Sequence, residues 1–311
     1  MNATPDHNTD SPTGLMLAVA TYVIWGFLPL YMKGLAHIPP VEVIAHRVIW
    51  SLPIAAGVLI WQGRAGQVRD ALRTPRLLVM AVITALLISA NWLIYVWAIA
   101  NNQAMEAALG YYINPLFSVL LGATLLRERL SRAQLAAVVL AAAAVVVLTV
   151  QAGRLPIVAL GLTLSWGIYA FCKKRLPLGP NQGFTLEVLL LTPIALGIIG
   201  WMTAQGSGHF GTNLTDTALL MGCGVVTAVP LLMYANAAKQ VRLSTIGVLQ
   251  YIAPTMIFLI AVLLFHEPFD GARVIAFPMI WAALIIYSVA LIRQAGARRR
   301  MTRSTTTKRM Q

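Results

Sequence analysis

The sequence predicts an all-α integral membrane protein of about ten transmembrane helices, arranged as two inverted five-helix repeats. Three observations carry this expectation. First, 59% of the 311 residues belong to the apolar set AVILMFWYC and only 11% are charged, with a mean hydropathy of +0.75, a composition that nearly excludes a soluble globular domain. Second, the apolar residues fall into ten runs of the length, about 20 residues, that crosses roughly 30 Å of hydrocarbon as a helix. Third, motifs of the first five runs recur in the last five.

The runs begin near Leu15, Val41, Arg76, Ala104, Ala133, Leu155, Phe184, Thr215, Ser244 and Ala272. Charges and helix breakers mark their borders: Lys33-Gly34, Pro39-Pro40, Arg127 to Arg129, Lys173 to Arg175 and Glu267-Pro268. The fifth run, Ala133 to Val150, is short but uncharged. Residues 1–14 form an N-terminal tail that contains Asp6 and Asp10 and no Lys or Arg. No small-residue cleavage site follows the first apolar run, so that run is expected to stay as a helix. Residues 15–150 form the first repeat, 151–292 the second, and 293–311 a basic C-terminal tail.

Orientation follows from Lys and Arg, which accumulate in cytoplasmic loops. With the N-terminus inside, Arg64, Arg69, Arg73, Arg76, Arg127, Arg129, Arg132, Lys173, Lys174, Arg175, Lys239, Arg242 and the seven basic residues from Arg293 to Arg309 are cytoplasmic. Only Lys33, Arg154 and Arg273 face outward, so nineteen against three places both termini in the cytoplasm of a cell bounded by an inner membrane. The net charge of +13 is thus a topology signal and an attraction to anionic headgroups; no nucleic-acid partner is expected.

The repeat is legible at several positions. Tyr112-Ile113-Asn114-Pro115 matches Tyr251-Ile252-Ala253-Pro254, and each proline is followed thirteen residues later by a glutamate, Glu128 and Glu267. At the same offset Leu93, Tyr95 and Ala98 match Leu232, Tyr234 and Ala237; Trp25-Gly26 matches Trp166-Gly167. Five crossings leave the chain on the far side, so the second half inserts upside down relative to the first. Inverted repeats characterise secondary transporters, because two related halves can rock about a site near the midplane; the alternative is that duplication only enlarges the bundle.

Charges within a bilayer persist when they face a cavity or a partner. Arg47, beside His46, lies about 9 Å inside the second run at 1.5 Å per residue. It either holds an anionic group or snorkels to the interface. Glu42, Glu106 and Glu187 are candidates for proton coupling, since a desolvated carboxylate gains affinity for a proton; each is also a helix-start charge that the dipole favours. Trp25, Asn91, Trp92, Tyr95, Tyr112, Asn114, Trp166, Tyr234, Gln250 and Tyr251 supply the aromatic and amide groups of a small-molecule site, some of which instead serve as interfacial or interhelical contacts. Pro115 and Pro254 remove backbone donors at matched places, where bent segments border binding sites.

No cofactor is expected. The sequence lacks the GxxxxGK[ST], HExxH and GxSxG patterns, its five histidines are scattered, and Cys172 and Cys223 have no ligand partners at metal spacing. An intramembrane enzyme acting on a lipid-type substrate is therefore unsupported, and a sensor or partner protein has no evident use for an inverted repeat. Oligomeric state is not legible, because close-packing Gly and Ala serve contacts within and between chains alike.

His46-Arg47-Val48-Ile49-Trp50, Asn91-Trp92-Leu93 with Trp97, Leu109 to Pro115, and Gln250 to Thr255 together resemble the chloramphenicol-sensitivity (RarD) subgroup of the EamA-type transporters, in the drug/metabolite transporter superfamily. The resemblance spans roughly Gly14 to Ile292. It implies ten helices in two inverted repeats, a bacterial inner-membrane location, and export or exchange of small metabolites or drugs by alternating access. His46, Arg47, Asn91, Trp92, Tyr112 and Asn114 belong to the matching motifs.

Overall fold

The computed structural model describes residues 11–125, 130–238, 240–241, 243–269 and 271–309. Of the residues singled out above, Asp6, Asp10, Arg127, Glu128, Arg129, Lys239 and Arg242 lie outside that set. The described chain is helical and, among its residues, has no strand.

The long helices are α1 (Pro12–Gly34), α2 (Pro40–Trp61), α4 (Pro75–Ala100), α5 (Ala104–Leu125), α6 (Arg132–Ala152), α7 (Ile157–Arg175), α8 (Pro180–Ala204), α9 (Leu214–Ala237) and α12 (Ala272–Arg309). A short helix α3 (Ala65–Leu72) follows α2, and the ninth run is split into α10 (Leu243–Leu249) and α11 (Ile252–Leu263). Among the described residues, nine stretches are long and apolar enough to cross a membrane. The sixth predicted crossing, α7, has 19 residues but closes on Lys173-Lys174-Arg175, which leaves it outside those nine by composition.

Local chemistry sets the helix ends. Pro40, Pro75 and Pro180 occupy first-turn positions, where no amide donor is needed. Ser131 and Gln134 form a capping box on α6, whose far end turns on Gly153 at φ 64°. Glu267, in the loop before α12, accepts from the Ala104 and Met105 amides at 2.6 and 2.9 Å and so caps α5. Burial raises the pKa of this carboxyl, against the pull of those two amides, Arg273 and Lys33.

The packing repeats with the sequence. α1 lies against α9 and α11 as α7 lies against α4 and α5, while α2 pairs with α8 and α6 with α12 across a pseudo-two-fold axis. The matched glycines show the symmetry most directly. A Cβ on Gly26 would approach the Met256 Cβ of α11 to 2.7 Å, and one on Gly167 would overlap the Phe117 ring of α5. Met256 and Phe117 occupy equivalent places of the two halves. In lipid, where apolar burial does not drive helices together, such close approach supplies the dispersion contacts that do.

α3 lies on the face from which α1 starts, here the N-terminal face, with Val68 and Ala71 buried and Arg69 exposed. Arg64, Arg73 and Arg76 are exposed around it. Outward-facing Val139, Val146 and Val150 of α6, at 59%, 59% and 74% exposure, present apolar surface of the kind that lipid covers.

Candidate functional site

Six long helices and the α10–α11 break converge on a central cavity of about 130 Å³. α1 contributes Tyr22, Trp25 and Leu28; α4 contributes Asn91, Trp92 and Tyr95; α5 contributes Tyr111 and Asn114. Except for the adjacent pair Asn91-Trp92, these are residues three or four apart, the spacing that aligns side chains on one helix face. Arg47 enters from α2, Trp166 from α7, and Thr227 and Leu231 from α9. Gln250, Ala253, Pro254 and Ile257 come from the broken ninth segment. Pro254 lacks the amide that would close a helical bond back to Gln250, and there the chain interrupts its helix, whereas Pro115 at the matched position lies inside continuous α5.

Arg47 is 3% exposed. Its Nε donates to the Thr227 hydroxyl at 3.0 Å, its guanidinium lies 4.8 Å from the centre of the Trp92 ring, and Nη1 has no hydrogen-bond partner. Among the described residues no carboxylate forms an ion pair with it. Tyr95 Oη and Asn114 Oδ1, both buried and both in the cavity wall, likewise have no partner. Asn91 is held: its amide donates to the Leu162 carbonyl and the Ser165 hydroxyl at 3.2 and 2.9 Å, fastening α4 to α7. The Tyr111 hydroxyl donates to its Oδ1 at 3.5 Å.

The structure thus gathers Trp25, Arg47, Asn91, Trp92, Tyr95, Asn114, Trp166 and Gln250 around one space. His46 is buried outside it, accepting from Trp50 Nε1 at 3.1 Å and stacking on Phe210 at 4.8 Å. Tyr112 pairs its hydroxyl with Thr255 at 2.9 Å between α5 and α11. Tyr234 packs behind the wall against Tyr22 and Trp25, and Tyr251 packs against the main apolar core. Tyr22, Tyr111 and Thr227 also line the cavity, beyond the set expected from the sequence. The doubled Tyr111-Tyr112 was visible, but which ring faces inward depends on helix rotation.

None of the three candidate carboxylates lies in the cavity. Glu42, at the far end of α2 from the N-terminal face, accepts from the His209 amide at 2.6 Å and the Phe210 amide at 3.3 Å, and its other oxygen lies 2.8 Å from His209 Nδ1. This clamps the 205–213 loop over α2 and presses Phe210 between His46 and Trp50. His37 meets Asp216 at 2.9 Å beside it. Below the loop, Gly224 brings α9 against the Trp50 backbone of α2 so closely that a Cβ would overlap it. On the N-terminal side, Glu187 is fully buried, 2.5 Å from Lys173 Nζ and 3.2 Å from the Tyr169 hydroxyl, while Gln182 donates to Gln67 at 2.7 Å. Glu106 meets Arg154 at 3.7 Å in a separate, larger cavity of about 350 Å³ between α5, α6 and α12. That cavity contains none of the residues selected for substrate binding.

A bundle of two inverted repeats around a central aromatic cavity with one buried cation defines a polytopic membrane protein of the transporter type. The EamA-like transporter family matches residues 12–150 and 155–289. An uncharacterized transporter of Vibrio cholerae is 41% identical over 96% of this chain and 99% of its own length. Protein RarD of Escherichia coli is 38% identical over 88% of this chain and 93% of its own. A solved structure at 20% identity superposes with a TM-score of 0.58, covering 90% of this chain and 98% of that one. The chain belongs to the EamA-like transporter family. It is a multi-pass membrane transporter of the drug/metabolite superfamily.

Proposed function

We propose that the protein is a secondary carrier that moves small organic metabolites or drugs across the bacterial inner membrane by alternating access, as an exporter or exchanger, with both termini cytoplasmic. The observation that carries this reading is Arg47: a buried cation with no counter-ion among the described residues, at the point where the two repeats meet. Such a group is costly to keep in a membrane interior and persists where it serves a solute. Its partners are then the solute and the surrounding lipid, with no nucleic acid involved. The charge distribution supports the orientation, since Arg64, Arg69, Arg73 and Arg76 around α3, Arg132 at the start of α6 and Lys173 to Arg175 at the end of α7 share the N-terminal face.

The two closures fit the same reading. One joins α2 to α9 through Gly224, Phe210 and Glu42; the other joins α7, α8 and α3 through Glu187, Lys173 and the glutamines. Opening one while keeping the other exposes the cavity to a single side. Nothing in this cycle requires bond chemistry, so the protein acts as a carrier and not as an enzyme.

The test is uptake and counterflow in liposomes holding the purified protein, with a pooled panel of labelled organic acids, amino acids, nucleosides and amphenicols. Saturable movement of chemically unaltered solute is expected. Recovery of an altered product, or no flux from folded protein, overturns the proposal.

A further inference from the structure

We infer that the cargo is a small organic anion with an apolar body, carried without a coupled proton, so that each solute moves one negative charge across the membrane. The inference rests on the carrier reading above and concerns its substrate class and driving force.

Arg47 is the one ionised side chain in the cavity wall, which otherwise consists of aromatic, amide, hydroxyl and aliphatic groups. Thr227 satisfies Nε, and the Trp92 face takes the flat of the guanidinium. Nη1 and the Tyr95 hydroxyl, both enclosed in the cavity wall, are left without partners. Two unsatisfied donors in one wall, one of them on a fixed positive charge, favour an oxyanion, because charge-assisted hydrogen bonds are the strongest available at a desolvated site. A neutral solute would leave the buried charge uncompensated, and a cation would be repelled by it. A zwitterion's ammonium group would meet no carboxylate among the described residues of the wall, only Asn114 Oδ1 and the aromatic faces, which do not neutralise it. The rest of the wall, with Trp25, Trp166 and Ile257, suits a flat apolar body. A space of about 130 Å³ is of the size that holds one aromatic ring.

A proton exchanged at the site itself needs a carboxylate or histidine in the cavity wall, and none of the described lining residues is one. Among the described buried acids, Glu42 is engaged by the 205–213 loop, Glu187 by Lys173 and Tyr169, Glu106 by Arg154 in a different cavity, Asp216 by Asn213 and His37, and Glu267 by the Ala104 and Met105 amides. These are components of the closures and the rim, not of the binding site. An anion moved alone is driven outward by an inside-negative potential, about 50-fold in concentration for 100 mV.

The experiment uses benzenesulfonate, which stays ionised at all working pH values and so does not leak as a neutral acid, against its neutral isostere benzenesulfonamide. Charge movement is recorded on proteoliposomes adsorbed to a solid-supported electrode, with flux measured in parallel under potentials set by potassium and valinomycin. Binding to the detergent-solubilised protein is read independently from tryptophan fluorescence, since Trp25, Trp92 and Trp166 surround the site. The expected result is a current, a potential-dependent flux and fluorescence quenching with the anion only, with binding about 10–100-fold weaker in Arg47→Gln. Equal binding of the sulfonamide, undiminished binding in Arg47→Gln, electroneutral anion flux, or silence of both readouts with the anion each overturns the inference. Flux of neutral solutes alone would do so while leaving the carrier reading intact. Anion binding without any flux would retain the anion site and sink the carrier reading instead.

Discussion

Arg47 and its neighbours set opposing demands on stability and function. The guanidinium is paired with a hydroxyl and a ring face, which recover only part of the hydration it leaves behind. Replacing it with an apolar chain of similar length removes an uncompensated charge from the protein interior, a change that stabilises when the site is otherwise well packed. Arg47→Met is therefore expected to raise the melting temperature in detergent by roughly 2–4 °C for each kcal/mol recovered, while solute flux falls to background. A lower melting temperature together with lost flux would show that the residue is structural. Such an exchange of stability for activity is the usual signature of a binding site held ready for its ligand. His46, its neighbour in sequence, points elsewhere and belongs to the Phe210 closure, so His46 substitutions should alter the cycle more than the affinity.

Between helices, the decisive contacts are the closest ones. Gly167 on α7 receives the Phe117 ring of α5 as Gly26 on α1 receives Met256 of α11. Gly167→Ala forces that ring from its place and is expected to cost roughly 1–3 kcal/mol. In Phe117→Ala the ring is already absent, so adding Gly167→Ala there should cost much less than in the parent, a coupling measurable by thermal denaturation of the four variants. Additive costs would mean that α5 and α7 do not meet at this point. The split ninth segment is the other element-scale feature. The interruption at Gln250 and Tyr251 brings Gln250 and Ala253 to the cavity, whereas intact α5 presents Tyr111 and Asn114 from the equivalent stretch of the other repeat.

Across the whole molecule, the halves are related but not equal. The closure opposite the N-terminal face combines backbone contact at Gly224, the Phe210 ring and the Glu42 hydrogen bonds with the 205–213 loop. The N-terminal closure is made by long side chains, Lys173, Gln182 and Gln67. Phe210→Ala removes a ring from the first closure and leaves the second untouched, shifting the population toward the state open on the loop side. With Cys172 and Cys223 replaced by Ala and Thr227→Cys as the reporter, a membrane-impermeant maleimide added on that side should label several-fold faster in Phe210→Ala. An unchanged rate would show that the ring does not limit access to the cavity. Labelling is informative here because Thr227 is buried in the cavity wall at 2% exposure.

Composition and run length determined that the chain is helical and lies in a membrane, because lipid admits only segments that satisfy their own backbone. The matched Trp-Gly and Tyr-Ile-x-Pro motifs determined the repeat, and the odd number of crossings determined its inversion. The depth of Arg47 marked it as exceptional, since charge in hydrocarbon is too costly to be incidental. Tertiary structure alone decided which side chains share the cavity. Tyr111 and Tyr112 are adjacent in sequence but about 100° apart around a helix, and only packing of α5 against α7 and α11 shows which one turns inward. It also decided what the acids do: Glu42, Glu106 and Glu187 look alike in the sequence as charges near the starts of apolar runs, yet α8 begins at Pro180 and places Glu187 about two turns inside. Their partners, His209, Arg154 and Lys173, lie 167, 48 and 14 residues away, at separations that no local pattern encodes.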